Sequence, residues 1–192
     1  MAARYSLEWS SLRAIEPALE EVQASAARLA GWYNAPVNRA AMTSDVEITV
    51  EEVVKHYRDL WSSGGRPFLF FSGDELVGDG DLRKIEAGQA EYAVLIGPPE
   101  QQGNGLGSRF SAMMLAFAFG PLGLRRVFVS LLPENPAPIR MFGKLGFRVD
   151  NSPEARQYAE SPTDLVMSVD AAPAIANLRI RVRGGANERA RP

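Results

Sequence analysis

The chain contains no cysteine and a single histidine, His56. The first absence excludes disulfides, thiolate metal sites and a cysteine nucleophile. The second excludes a multi-histidine centre, so no metal is expected, and a serine–histidine–acid mechanism would have to run through His56 alone. No apolar run is long enough to cross a bilayer, and Met1 to Ser11 lack the apolar centre of a secretory signal. No membrane association is therefore expected, and the expected address is the cytoplasm. Charge of one sign is scarce as well: 23 acidic against 21 basic residues leave −2, which gives no general attraction to nucleic acid. What remains is 46% hydrophobic and 23% charged over 192 residues, the balance of a globular chain with a sizeable core.

The charge is uneven. Residues 171 to 192 hold five arginines (179, 181, 183, 189 and 191) against Glu188, a local +4 that leaves −6 on residues 1 to 170. We read 1–170 as one domain and 171–192 as a basic tail. The alternation Leu178-Arg179-Ile180-Arg181-Val182-Arg183 suits a basic edge strand, and a frayed terminus is the plainer alternative.

Patterning along the body predicts a mixed α/β sheet. A first strand is expected over Arg4 to Leu7. A helix follows from Pro17, with Leu19, Val22, Ala26 and Leu29 on one face and Gly31 as its stop. Residues 34 to 48 read as a loop. Thr49 and Glu52 form a capping box for a second helix that buries Val53, Tyr57, Leu60 and Trp61. Three antiparallel-type strands are expected: Arg66–Phe71, then Glu75 to about Ile85, then a central Glu91–Ile96 stopped by Gly97-Pro98-Pro99. A helix from Leu106 to Phe119, a strand over Arg126–Leu131, a helix over Pro136–Leu145 and strands at Phe147–Val149 and Thr163–Val169 complete the order.

Between the central strand and the helix lies Gln101-Gln102-Gly103-Asn104-Gly105-Leu106-Gly107-Ser108. Glycine lets backbone approach a ligand, and a helix N-terminus presents unpaired N–H groups at the positive end of a dipole. Together they can cradle phosphate. A P-loop would need Lys-Ser/Thr after the last glycine, but Ser108-Arg109 stands there. A G-x-G-x-x-G reading starting at Gly103 ends on Ser108, and one starting at Gly105 finds no third glycine. The loop alone leaves two readings open: a phosphate cradle, or a plain strand-to-helix connection.

Two motifs in order narrow the choice. Gln102-Gly103-Asn104-Gly105-Leu106-Gly107 resembles the R/Q-x-x-G-x-G/A loop of the GNAT acetyltransferase family. Downstream, Asn135-Pro136-Ala137-Pro138-Ile139-Arg140-Met141-Phe142-Gly143-Lys144-Leu145-Gly146-Phe147 resembles the family's asparagine, apolar helix and closing Gly-Phe. The strong resemblance covers Glu91 to Val149. It implies a GNAT-like, mostly antiparallel sheet with splayed central strands flanked by about four helices. It also implies acetyl-CoA as acyl donor. The backbone of Leu95 and Ile96 would pair with the pantetheine amides. The N–H groups of Gly103, Asn104, Gly105, Leu106, Gly107 and Ser108 would hold the pyrophosphate. Asn135 would reach the pantetheine arm and Phe142 would flank the thioester. The alternatives are a helix cap for Asn135 and core packing for Phe142.

Acetyl transfer to an amine requires a neutral nitrogen, and a lysine-like amine has a pKa of roughly 10.4, so a base or a desolvating site is needed. By its resemblance to the general-base glutamate of the histone acetyltransferase branch, Glu91 is the candidate base. Its strand neighbours on the same side, Ala93 and Leu95, suggest a raised pKa. A solvent-facing strand-end glutamate is the alternative. A backbone N–H of the Leu95–Ile96 strand is the expected polarising donor. Many family members carry tyrosine where Phe142 stands, so the thiolate would take its proton from Tyr158, Tyr33, Ser130 or water. His56, Trp32, Tyr33 and Trp61 lie where family substrates enter, with surface or core roles as alternatives. The implied function is N-acetylation of a primary amine on a small molecule, peptide or protein. The −6 body mildly favours a cationic acceptor. A catalytically weak acyl-CoA-binding sensor or scaffold is the competing reading. No nucleic acid partner is expected, and a homodimer is compatible with the sequence.

Overall fold

A computed structural model describes residues 4–40, 42, 46–171 and 180–184. Its strands are β1 (Ser6–Trp9), β2 (Leu12–Ile15), β3 (Arg66–Ser72), β4 (Glu75–Glu86), β5 (Gln89–Ile96), β6 (Arg126–Leu131), β7 (Arg148–Val149), β8 (Leu165–Asp170) and β9 (Arg181–Arg183). The helices are α1 (Leu19–Asn34), α2 (Pro36–Arg39), α3 (Val50–Ser62), α4 (Leu106–Phe119), α5 (Pro136–Lys144) and α6 (Pro153–Arg156). The strands form one nine-stranded sheet among the described residues, in the order β7-β8-β6-β5-β4-β3-β2-β1-β9. Only β5 and β6 run parallel; the other neighbours are antiparallel.

Period-two alternation sorts side chains between the two faces. Phe68 and Phe70 of β3, Leu82 of β4, Tyr92 of β5 and Val127 and Val129 of β6 join Phe110, Met113, Met114 and Phe117 of α4 in the main core. Phe142 of α5 closes that layer. The intervening Leu69 packs instead with Val22 and Leu29 of α1 and Val53 and Tyr57 of α3. At the β6–β8 end of this second face, Phe128 stacks on Tyr158 with ring centroids 4.1 Å apart, beside Ala155 of α6. Among the described residues no helix is long and apolar enough to cross a membrane.

Several expectations need correction. The first strand is a hairpin, with β2 absent from the sequence reading because four residues carry too short an alternation to register. Pro17 precedes the helix, which starts at Leu19. Gly31 does not stop α1. The helix continues through Trp32 and Tyr33 to Asn34 because both aromatic side chains find tertiary partners: the indole packs against Gly97, where an added Cβ would lie 2.0 Å from it, and the phenol bonds to Asp79 at 2.6 Å. The loop after it contains α2 and is tied back by Asn34, whose amide exchanges two 2.8 Å hydrogen bonds with the Ile48 backbone. The Thr49–Glu52 capping box is present in both directions. In the tail, Arg181–Arg183 adds to the edge of the sheet beside β1, with Arg181 and Arg183 both within 3.7 Å of Glu8. Of the rest of the expected 178–183 strand, Ile180 is described but lies outside β9, and residues 178 and 179, with most of the tail, lie outside the described residues.

Phe110 is fully buried on α4 and stacks on Phe70 at 4.4 Å. Phe110→Ala is expected to lower unfolding free energy by about 3–5 kcal/mol in urea denaturation.

Candidate active site

The parallel ladder between β5 and β6 is short. Gln89↔Arg126, Ala90↔Val127 and Glu91↔Phe128 pair, and the ladder ends there, although β5 runs on to Ile96 and β6 to Leu131. A gap therefore opens beyond Glu91. Its β5 wall is set by the pairing of β5 with β4. Gly97 donates its N–H to Val77 O at 3.0 Å. In an antiparallel ladder the hydrogen-bonded pairs alternate, so Asp79↔Leu95 and Asp81↔Ala93 also turn their backbone groups toward each other. The backbone groups facing the gap are then those of Tyr92, Val94 and Ile96. This corrects one assignment: the register commits the Leu95 amide and carbonyl to β4. Val94 holds the position expected of Leu95.

At the open end of β5 the chain makes a 3-10 turn over Pro99–Gln101 and enters the glycine loop. Gly103 and Gly105 have φ of +75° and +80°, a region that residues with a Cβ seldom occupy. Gly105 is the N-cap of α4. The first intrahelical bond runs from Arg109 N to Gly105 O, so the Leu106, Gly107 and Ser108 N–H groups are not taken up by the helix. The first turn of α4 holds no acid that would oppose an anion there. Asn104 turns its amide to Glu100 O at 3.2 Å. Gln102 points inward: its Nε2 donates to Ile96 O and to Asn38 Oδ1, both at 2.7 Å. Asn38, buried on α2, in turn donates to Trp32 O at 2.8 Å and Gly97 O at 3.0 Å. One amide pair thus joins the glycine loop, the end of β5 and the α1–α2 corner.

Asn135 occupies the N-cap position of α5 but makes no side-chain capping bond. With Val37, Ala40, Leu132 and Glu134 it lines a hollow of about 300 Å³ between α2 and the β6–α5 connection. Phe142 is buried, edge-on to both Tyr92 and Phe147, as the packing alternative had it.

The face of the sheet opposite α4 carries a charged cluster beside the gap. Asp79, Asp81 and Arg83 of β4 alternate onto it, with Glu91 of β5 opposite Arg83. Tyr33 and Tyr57 donate to one oxygen of Asp79 at 2.6 and 2.9 Å, and its other oxygen is buried without a hydrogen-bond partner among the described residues. Burial pushes Asp79 up to about 6 against the pull of the two tyrosines. It pushes Asp81 to about 6 as well, opposed by Arg83, whose Nε lies 2.9 Å from Asp81 Oδ1. His56 Nε2 stands 4.0 Å from Asp81, and burial, followed by Arg83, lowers the His56 pKa and favours the neutral ring.

Glu91 is 2% exposed, but its surroundings are ionic rather than apolar. Lys84 Nζ lies 2.8 Å from it and Arg83 Nε 3.9 Å. Consecutive residues reach one carboxylate because the β4–β5 register shifts between Arg83 and Glu86 and Lys84 takes φ +50°. Glu160, from the α6–β8 connection, comes within 3.3 Å of Arg83, the guanidinium that also lies 3.9 Å from Glu91. Sequence patterning gave no signal for Glu160, Asp81, Asp79 or Asn38, since none sits in a motif. The hydroxyls considered as acids all have acceptors: Tyr33 bonds Asp79, Tyr158 bonds Gln89 at 3.1 Å, and Ser130 bonds Asp164 at 2.7 Å.

Comparison with known proteins gives the same outline. The family model described as an acetyltransferase (GNAT) domain matches residues 12–148. The spermidine N(1)-acetyltransferase of Escherichia coli (strain K12) is 28% identical over 121 residues, 62% of this chain and 60% of that protein. The match therefore spans less than two thirds of its length. Among solved structures, spermidine N-acetyltransferase from Vibrio cholerae in complex with CoA and spermine superposes with a TM-score of 0.69 at 18% identity, covering 84% of this chain and 96% of that one. Mycobacterium smegmatis RimJ in complex with CoA-disulfide also gives 0.69, at 16% identity, covering 88% and 87%. At these identities the structural likeness is one of fold.

Asp79 yields a stability prediction. Its folded pKa of about 6 lies above its ordinary value of 3.8, so its contribution is full below pH 3.8 and is lost as pH rises through 6. Asp79→Asn removes that loss. The stability of the variant relative to the parent, from urea denaturation, should rise by about 2 kcal/mol between pH 4 and pH 7.5.

Proposed function

Because the chain belongs to the GNAT acetyltransferase family, we propose that it transfers an acetyl group from acetyl-CoA to a primary amine of a cationic, polyamine-like acceptor. The observation that carries the reading is the gap between β5 and β6, continuous with the glycine loop. The Val94 N–H and carbonyl and the Ile96 N–H suit the pantetheine amides as an added strand, the Ile96 carbonyl being held by Gln102. The Leu106, Gly107 and Ser108 N–H groups suit the pyrophosphate. Asn135, with its side chain not spent on capping, is free to meet the pantetheine arm. The Val94 N–H is the best-directed donor to a thioester carbonyl in the gap. Phe142 serves as a packing residue under this floor, so the sulfur takes its proton from another source.

The acceptor assignment rests on charge. Asp79, Asp81, Glu91, Glu160 and Asp164 share the face beside the gap with Arg83 and Lys84, and the cation shortfall favours an ammonium-bearing ligand. The spermidine acetyltransferase relative points the same way. A bound amine must lose a proton before it attacks, and the carboxyls flanking Arg83, Glu91 and Glu160, are the candidates to receive it.

Thiol release from acetyl-CoA is the direct assay. Spermidine should support turnover, while an uncharged peptide lacking free amines should not; no release with any member of an amine panel would overturn the reading. Gly105→Val forces a branched residue to φ +80°, and should weaken CoA binding about tenfold in calorimetry, the equivalent of about 1.4 kcal/mol.

A further inference from the structure

Glu91 and Glu160 share the Arg83 guanidinium, at 3.9 and 3.3 Å, where β5 and β6 part, and their surroundings differ. Glu91 is closed off at 2% exposure and held by Lys84 and Arg83. The Glu160 side chain is 42% exposed and reaches Arg83 at 3.3 Å. Its backbone is fixed: Glu160 N donates to Ser130 Oγ at 3.1 Å, and Ser130 Oγ donates to Asp164 Oδ2 at 2.7 Å. Ser130 lies on β6, two residues past the last residue paired with β5, so the hydroxyl that holds Glu160 belongs to the far wall of the gap. Glu160 therefore bridges the two strands over the apex, on the face opposite α4.

We propose that Glu160 accepts the proton of the incoming ammonium, and that Glu91 is the positioning carboxyl behind it. The inference rests on the acetyltransferase reading above. An ammonium N–H bond breaks and its proton passes to a Glu160 oxygen. The freed nitrogen lone pair attacks the thioester carbon. When the C–S bond breaks, its electron pair stays on sulfur, the second nitrogen proton goes to the thiolate directly or through water, and Glu160 returns its proton to solvent.

The electrostatics agree with the geometry. Burial raises the Glu160 pKa, the nearby Glu91 and Asp164 carboxyls raise it further, and Arg83 opposes them. From β4, Asp81 also faces this group; from α3, His56 does so; Lys84 acts on it through Glu91. A carboxylate with a raised pKa that still opens to water is a better proton acceptor than an ordinary one and can release the proton again.

The test compares Glu160→Gln and Glu160→Asp with the parent across pH, using spermidine and acetyl-CoA. Glu160→Gln should lower kcat about 100-fold or more, abolish the acid limb of the profile, and leave the acetyl-CoA KM within about twofold. Glu160→Asp should keep an acid limb. A Glu160→Gln kcat within about threefold of the parent, or a reduced kcat with the parent's acid limb intact, would overturn the inference and leave the acetyltransferase reading standing. A parent that turns over no amine removes both. Independently of activity, the Glu160 carboxyl followed by carbon-13 NMR should titrate at lower pH in Glu91→Gln; an unmoved midpoint would remove the pair.

Discussion

A parallel strand pair that separates after three residues leaves main-chain donors and acceptors facing a gap, and the rest of the site is organised around that debt of hydrogen bonds. Both strands continue, so the unpaired groups are held in extended geometry on rigid elements rather than in a loop. An extended amide-bearing ligand can complete the ladder as a missing strand would. The glycine loop follows from the same parting. Once β5 has left β6, its end must turn sharply into α4, and Gly103 and Gly105 supply the positive φ values of that turn. Strand end and helix start therefore arrive at one place, and an extended arm and an anion can be bound in continuity.

The remaining wall comes from the α1–α2 corner. Asn38 and Gln102 share one hydrogen bond and between them engage three carbonyls, of Trp32, Ile96 and Gly97. The indole of Trp32 fills the space that a side chain at position 97 would need. Tyr33, the next residue, reaches Asp79 on the charged face. The glycine loop, the end of β5 and the helix that carries Trp32 and Tyr33 are thus joined by direct contacts.

Much of this was legible in the sequence. The boundaries of α4 and β6 match because Leu106–Phe119 and Arg126–Leu131 are strongly patterned and bounded by Gly and Pro. The capping box at Thr49 is a local signal with a local cause, and the glycine loop is legible because φ +75° and +80° leave a compositional mark. What was not legible is tertiary. The choice between Leu95 and Val94 depends on the parity of the β4–β5 register, and that parity is invisible along one strand. Gly31 reads as a helix stop until Trp32 and Tyr33 are seen to have partners across the sheet. The surroundings of Glu91 invert for a similar reason: Ala93 and Leu95 flank it in sequence, but a shift in the neighbouring strand brings Lys84 beside Arg83. Glu160 lies in a polar stretch with no period, and only the fold brings it to the apex.

The distribution of polar groups between the two faces separates stability from chemistry. The α4 face is a dense aromatic and aliphatic layer. The opposite face holds two carboxyls pushed to about 6 by burial and a third enclosed by cations. Ionised carboxylates withdrawn from water are unfavourable, and well-packed apolar residues of similar volume would commonly hold such a position at least as stably. Asp79, Asp81, Glu91 and Glu160 are nonetheless spread along the face beside the gap, from the Asp79↔Leu95 pair to the Arg83↔Glu91 pair. On the proposed reading, a ligand bearing ammonium groups would bring positive charge to this face and meet there a carboxyl to take the proton that keeps its nitrogen from attacking.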